Sequence, residues 1–146
     1  MAALSNYLEN KLVDQIFRGQ AYTFPTTTYL ALYTVTPTAT AGSGTEVTGG
    51  AYARVAVTGS LANWAGTQGA GTTVASSGTS GATSNNIVIT FPAPTAAWGV
   101  VTGFSIMDAL TAGNELFYGA LTVSKTVNNG DSAPSFAAAA LALTFS

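Results

Sequence analysis

The sequence predicts a mainly β protein, a single β-sandwich preceded by one amphipathic α-helix. The chain has 146 residues, which fits one domain that buries roughly 68–70% of the surface of its unfolded chain. Its hydrophobic fraction of 47%, with 7 Phe, 6 Tyr and 2 Trp, supplies a core. After one helical segment, short β-branched and aromatic runs follow one another without intervening helices, which favours two packed sheets. A jelly roll is one form of this arrangement.

The helix is expected at about residues 4–18. Apolar residues recur every fourth position, and three more widen the stripe, as in an amphipathic helix. Ser5 or Asn6 can act as the N-cap, and Gly19 stands where a left-handed C-cap is expected. We expect the stripe to pack on the chain's own sandwich, with docking into a neighbouring subunit as the alternative. The stripe consists of Leu4, Tyr7, Leu8, Leu12, Val13, Ile16 and Phe17.

Six later runs have the length and composition of strands. The last two are expected to pair as a hairpin around residues 128–134, where Asn129 and Gly130 favour a turn. Two segments rich in glycine are loops by composition, and the second is long enough to be a loop or an arm. The strand runs are 27–34, 52–58, 86–91, 98–107, 116–124 and 136–145, and the two loops are 36–50 and about 65–85.

Charge is scarce and unevenly placed. Only 7% of the residues are charged, against about 25% in typical domains. Past Gly19 the chain carries only six charged side chains, which are Glu46, Arg54, Asp108, Glu115, Lys125 and Asp131. A soluble surface normally carries mixed charge, so this composition favours a subunit covered by its neighbours, a homo-oligomer, over a monomeric domain with an uncharged surface.

Several function classes are disfavoured by the same composition. A net charge of −2 without a basic run argues against nucleic-acid binding, which needs clustered Lys and Arg. The longest apolar stretch, residues 136–143, is too short to span a membrane. No basic segment followed by an apolar core opens the chain, so we expect synthesis in a cytoplasm without a targeting step.

No catalytic, cofactor-binding or metal-binding residue is predicted. The sequence has no His and no Cys, which removes the common nucleophile–base pairs and the usual zinc ligands. A two-carboxylate reaction needs a pair of acids, and Asp108 and Glu115 flank the segment 109–114, where we interpret them as turn residues of a hairpin. The glycine-rich segment Gly66–Gly71 is not followed by the Lys–Ser/Thr pair of a phosphate-binding loop. The protein is therefore expected not to be an enzyme.

Arg54 stands alone in an apolar run, where an arginine needs a hydrogen-bonded partner. We expect Glu46 or Asp108 to pair with it, or else a contact between subunits. The Tyr and Trp residues scattered through the strands favour sheet packing, while a carbohydrate-binding surface is the main rival function. The residues expected at an assembly interface are Tyr7, Leu8, Leu12, Tyr52, Arg54 and Trp64.

Several segments together resemble a family of short tailed-phage virion proteins that are commonly labelled tail fibre proteins. The more specific ones are residues 5–19 and the Gly49-Gly-Ala-Tyr-Ala-Arg54 motif, and the remaining ones are residues 29–33, 87–92, 98–104 and 117–121. The resemblance covers nearly the whole chain. It implies a bacteriophage virion structural protein whose partners are other virion proteins, either the major capsid protein or tail proteins.

The chain has neither the internal repeat nor the heptad run of a fibre shaft. We therefore expect a capsid decoration or cement subunit that stabilises the head through protein–protein packing. The alternative is a tail fibre or tail-associated subunit, with carbohydrate binding in host recognition.

Overall fold

The computed structural model describes residues 2–145, in which one helix near the start of the chain is accompanied by short and long β-strands. The mainly β class and the N-terminal helix are thus confirmed. In chain order the elements are β1 (Ala3–Leu4), α1 (Asn6–Phe17), β2 (Thr27–Val35), β3 (Thr45–Glu46), β4 (Val55–Thr58), β5 (Ala82–Ser84), β6 (Ile89–Thr90), β7 (Gly99–Met107), β8 (Glu115–Val127), β9 (Ser135–Phe136) and β10 (Ala142–Thr144).

One six-stranded antiparallel sheet dominates the described residues. Its order is β1-β8-β7-β2-β3, and β4 also pairs with β2 on the same edge as β3. Strands β5 and β10 form one small antiparallel sheet, and β6 and β9 form another. The long central strands β2, β7 and β8 therefore provide the rigid layer on which loops and small sheets are placed.

The main core lies between one face of the large sheet and the small sheets. Leu30 and Leu32 of β2 share that face, because alternate residues of a strand point the same way, and both are buried. They belong to the same apolar cluster as Ile89 and Leu143 of the small sheets. Burying each such side chain contributes about 1.5–3 kcal/mol. This two-layer packing is consistent with the β-sandwich that the sequence predicts.

The opposite face of the large sheet carries a second, smaller cluster. Ala31 and Tyr33 of β2 and Met107 of β7 are buried there, with Tyr29 packed against them. Loops rather than strands cover this face, since the hairpin between β7 and β8 and the segment before β3 both lie beside it. The polar network described below is built on this cluster.

Helix α1 lies within the predicted range 4–18, but it begins at Asn6, and Leu4 of the predicted stripe belongs to β1. Ser5 is the N-cap, and its hydroxyl accepts a hydrogen bond of 3.2 Å from the Leu8 amide. The same hydroxyl donates to the carbonyl of Glu115, which ties the helix start to β8. At the other end Gly19 has a φ of +66°, a conformation that glycine adopts without steric cost.

Only the first half of the predicted apolar stripe packs on the chain's own sheet. Leu8 is buried, while Tyr7 and Leu12 are half-buried against the main core. Further along, Ile16 is 65% exposed and Phe17 is 80% exposed. The stripe therefore continues beyond the surface that covers it.

Two predictions about the C-terminal strands are wrong. Residues 136–145 do not form one strand, because the chain turns between β9 and β10 with Ala139 at a φ of +66°. These residues also do not form a hairpin with residues 116–124, since β8 pairs with β7 and β1. The reason lies in Asn85, a fully buried residue whose side chain binds the carbonyl of Ala137 and the amide of Leu141.

The two segments predicted as loops lie mostly outside helices and strands, and each contains one short strand. Residues 36–50 contain β3, and residues 65–85 contain β5. The longer loop folds back on itself, because Gln68 donates to the carbonyl of Ala75 at 2.7 Å and Thr67 bonds with Gly78. Of the predicted run 86–91, only Ile89 and Thr90 form a strand.

Candidate functional site

An arginine network stands on the outer face of the large sheet. Arg54 donates from Nε and Nη2 to the two carboxylate oxygens of Glu46, at 2.8 and 2.7 Å. Its Nη1 donates to the carbonyls of Ala109 and Ala112, at 2.8 and 2.7 Å. The Arg54 side chain is only 8% exposed, so these four oxygen atoms stabilise its positive charge in place of water. The predicted pairing of Arg54 with Glu46 is confirmed.

The strands determine where the partners lie. β3 places Glu46 opposite Tyr33 of β2, and Arg54 immediately precedes β4 on the same edge. The hairpin after β7 brings Ala109 and Ala112 across to the guanidinium, with Ala112 at a φ of +51°. Guanidinium donors fit a carboxylate in a planar fork, so the side chain fastens the hairpin loop to the sheet edge.

The second glycine of the Gly49-Gly-Ala-Tyr-Ala-Arg54 motif is required for steric reasons. Gly50 has a φ of +57°, and a Cβ there would lie 2.9 Å from the Trp98 indole nitrogen. That nitrogen instead donates to the Gly50 carbonyl at 2.9 Å. The motif therefore forms a tight turn against Trp98 that delivers Tyr52 and Arg54 to the sheet.

Tyr52 links the network to the sheet. Its hydroxyl donates to Glu46 at 2.9 Å and accepts from the amide of Leu32 at 2.9 Å. Its ring packs edge-on against Trp98 at 5.3 Å between centroids. Burial raises the pKa of Tyr52 well above its usual range, so the hydroxyl keeps its proton for Glu46.

Glu115 is not the turn residue that the sequence predicts. It is the first residue of β8, pairs with Met107 and is only 6% exposed. Its Oε1 atom is buried and has no hydrogen-bond partner within residues 2–145. Burial raises the pKa of Glu115 from 4.5 to about 7, against the opposing effect of the Ser105 hydroxyl.

Asp108, by contrast, is the turn residue that was predicted. Its carboxylate accepts from the backbone and side-chain nitrogens of Asn114, at 2.7 and 2.8 Å. The two acids at the ends of this hairpin therefore differ in role, one holding the turn and the other buried beneath it. The sequence feature that indicates burial of Glu115 is its position at the start of the apolar run Leu116–Tyr118.

Two cavities adjoin the Arg54 network. One of about 460 Å³ is lined by Tyr52, Leu110 and neighbouring residues. The other, of about 280 Å³ and named here the Glu115 cavity, is lined by Glu115, Tyr33 and Met107, and by the glycine-rich segment 41–44. Glu46, Arg54 and Ala112 line both.

The six predicted interface residues do not form one patch around this network. Tyr52 and Arg54 belong to it, whereas Tyr7, Leu8 and Leu12 lie on α1. Trp64 is half-buried and bridges to Asn85 beside the small sheets. All six have contacts within the chain, so their role between subunits stays a prediction.

Two further properties concern only the part of the chain that the structure describes. Within it, no three acidic side chains come together in a group suited to a metal ion. No helix among residues 2–145 has the length and apolar character needed to cross a membrane.

A family model of phage fibre proteins matches residues 3–144, which together with the β-rich fold makes the chain a structural protein of the phage virion. It belongs to the family described as podophage GP4 fiber I protein gp80. This confirms the resemblance carried by the helix and the glycine–tyrosine–arginine motif. No curated protein matches the chain.

Proposed function

We propose that the chain is a non-enzymatic fibre subunit of a podophage tail, held in the particle by packing against other virion proteins. The observation that carries the proposal is the fibre family match over residues 3–144. The chain would be made in the host cytoplasm and joined to the particle during assembly.

The polar network supports a structural role. Arg54 hydrogen-bonds to Glu46 and to two backbone carbonyls. Glu46 also accepts a hydrogen bond from Tyr52. A group engaged in this way holds loops in place and has no free donor or acceptor for a reacting molecule. The network therefore fixes the hairpin loop that follows β7.

The exposed part of α1 is the surface that we expect to meet a neighbour. Val13, Ile16 and Phe17 are 48%, 65% and 80% exposed, and Phe24 just beyond the helix is 51% exposed. Apolar groups concentrated on one exposed surface mark protein contacts. The predicted residues Leu8 and Leu12 lie on the same helix and anchor it to the sheet, so they support this surface from beneath.

The alternative role is that of a capsid decoration or cement subunit on the head. The absence of a shaft repeat from the sequence favours this role. The family's description as a fibre favours the tail. For carbohydrate recognition, aromatic rings must be exposed to stack on sugars, but Tyr52 and Trp98 pack against each other within the sandwich.

Electron cryomicroscopy of particles carrying a gold-labelled antibody against the chain tests the location. Label at the tail is the expected result, and label spread over the head shell would instead support decoration. Binding of the purified protein to emptied capsids, with a rise in the capsids' melting temperature, would also support the decoration role.

The packing surface is tested by complementing a phage that lacks the gene. We expect Phe17→Ser and Ile16→Ser to keep the melting temperature of the purified chain and to reduce its incorporation into particles. Val74→Ser is the matched control, because Val74 is 60% exposed and lies in the glycine-rich loop. Normal incorporation of both helix variants would move the interface away from α1.

A further inference from the structure

The outer side of α1 combines three apolar side chains with one acid. Its residues are Glu9, Val13, Ile16 and Phe17. They stand at helical positions i, i+4, i+7 and i+8, so they share one side of the helix. All four are exposed, and Phe17 is the most exposed at 80%. This side, named here the α1 face, is not covered by the described part of the chain.

An apolar cavity of about 340 Å³ lies beside the last part of β8, and Lys125 is one of its lining residues. Buried Val101 and exposed Val123 also line it, so the apolar interior reaches the surface here. Residues 121–124 of β8 lie opposite the single residue Thr102 of β7, and such a bulge disrupts the ladder and bends its strand. This opening is named here the Lys125 cavity.

Glu9 and Lys125 are exposed charged side chains that have no ion pair, side-chain hydrogen bond or ring contact within residues 2–145. The other charged side chains are held within the chain, by ion pairs (Asp14–Arg18 and Glu46–Arg54), by the Tyr7 ring (Lys11), by asparagines (Asp108 and Asp131) or by burial (Glu115). The two free charges are opposite in sign, one on the α1 face and one at the Lys125 cavity. The two surfaces are therefore complementary in charge as well as in apolar character.

The two surfaces are attached to opposite ends of the long strands. α1 starts at the beginning of β8, where the Ser5 amide donates to the carbonyl of Leu116 at 2.9 Å. Lys125 pairs with Val101 of β7, which lies about 20 Å along that strand from Met107 beside the start of β8. Both surfaces are exposed in the folded chain, so a contact that covers them joins two copies.

We propose that the α1 face of one copy docks into the Lys125 cavity of a second copy, with Phe17 inserted between the apolar walls and Glu9 paired with Lys125. A cavity of about 150 Å³ holds a benzene molecule, so one of about 340 Å³ admits the Phe17 ring. Glu9 precedes Phe17 by about 12 Å along the helix axis, a distance that the long side chains of Glu9 and Lys125 bridge from the edge of the cavity.

This contact is heterologous, because two different surfaces meet in it. Each copy therefore keeps one surface of the other kind for a further neighbour, and such contacts build rings or open arrays. The proposal rests on the proposed function in using α1 as a packing surface, and it adds that the neighbour is a second copy of the same chain.

Sedimentation velocity of the purified full-length chain is the first test, at concentrations from about 1 μM to about 1 mM, the affinity range of small interfaces. We expect the sedimentation coefficient to rise with concentration. A chain that stays monomeric throughout would overturn this proposal. It would leave the proposed function intact, because that function is judged by the incorporation of the α1 variants into particles.

Two variants that each remove one surface make the test specific. Phe17→Ser loses the inserted ring, and Ser132→Trp blocks the cavity from an exposed position in its lining. Each should keep the melting temperature and weaken self-association at least about tenfold, whereas Val74→Ser should not change it. Mixed in equal amounts, the first two should associate with each other, because each supplies the surface that the other lacks. Unimpaired association of Ser132→Trp alone, or no complex in the mixture, would overturn the proposal.

A charge exchange tests the pairing of Glu9 with Lys125. Glu9→Lys and Lys125→Glu should each weaken self-association about fivefold or more. The double variant restores opposite charges across the contact, so its self-association should return towards that of the wild type. If the double variant associates no better than the single variants, the proposed docking is wrong.

Discussion

Arg54 and Glu46 are joined by two parallel hydrogen bonds of 2.8 and 2.7 Å, on a sheet edge where the arginine side chain is only 8% exposed. The remaining donors of the guanidinium hold the carbonyls of Ala109 and Ala112. One cation thus connects β3, the segment before β4 and the hairpin after β7.

Replacing Arg54 by methionine should lower the free energy of unfolding by roughly 3 kcal/mol, because Glu46 and two carbonyls lose their donors. Urea denaturation followed by tryptophan fluorescence measures the change. Arg18→Met is the control, since Arg18 is 69% exposed and pairs with Asp14 at 3.0 Å on the helix surface, where a pair contributes less than about 1 kcal/mol. Equal losses in the two variants would contradict a special role for Arg54.

The stability of the protein should fall as the pH rises through about 7. The pKa of Glu115 is raised by burial from 4.5 to about 7, so the folded state binds this proton more tightly than the unfolded chain does. The resulting stabilisation is complete below pH 4.5 and is lost as the pH rises through about 7, with a size of up to ~3 kcal/mol.

Denaturation curves across that pH interval, for the wild type and for Glu115→Gln, test this dependence. The variant cannot ionise, so its stability should vary less with pH, and at about pH 8 it should exceed that of the wild type. Parallel pH profiles for the two proteins would show that Glu115 does not titrate in this way.

Asn85 should be among the most sensitive positions of the chain. Its side chain is fully buried, donates to the carbonyls of Ile87 and Ala137 at 2.8 and 2.7 Å, and accepts from the amide of Leu141 at 2.8 Å. Asn85→Ala leaves these groups unpaired and should cost about 3 kcal/mol or more. Thermal unfolding checks this against Asn129→Ala, an exposed turn position that should change little.

Gly119 should not tolerate a side chain. A Cβ there would lie 3.0 Å from the Phe104 ring and 3.1 Å from the Cα of Ala2. Gly119→Ala is therefore expected to lower stability by about 1–3 kcal/mol through overpacking. Gly59→Ala meets its nearest atom at 3.4 Å and serves as the matched control, so a similar loss in both would rule out the steric cause.

The features that the sequence predicts correctly depend on local signals. The cap at Ser5, the apolar repeat of α1 and the β-branched run of β2 each act within a few residues, so they can be identified from the sequence alone. The pairing of Arg54 with an acid followed from chemistry, because an arginine in an apolar run needs one.

The wrong predictions concern residues whose conformation or burial is set by contacts far away in the sequence. Residues 136–145 have a strand-like composition, yet Asn85 binds Ala137 and Leu141 across the fold and the chain turns between them. Likewise, the burial of Glu115 depends on Tyr33 of β2 and on the glycine-rich segment 41–44, which line its cavity. No short-range pattern records such contacts.

Four of the six charged side chains past Gly19 lie at or beside the hairpin between β7 and β8, whereas no charged side chain occurs between Arg54 and Asp108. That neutral stretch includes β5, β6 and the long folded loop. A joint made through it has no Coulomb attraction for salt to screen. Such a joint would not weaken through charge screening as salt is added, and it would select its partner by shape and hydrogen bonding.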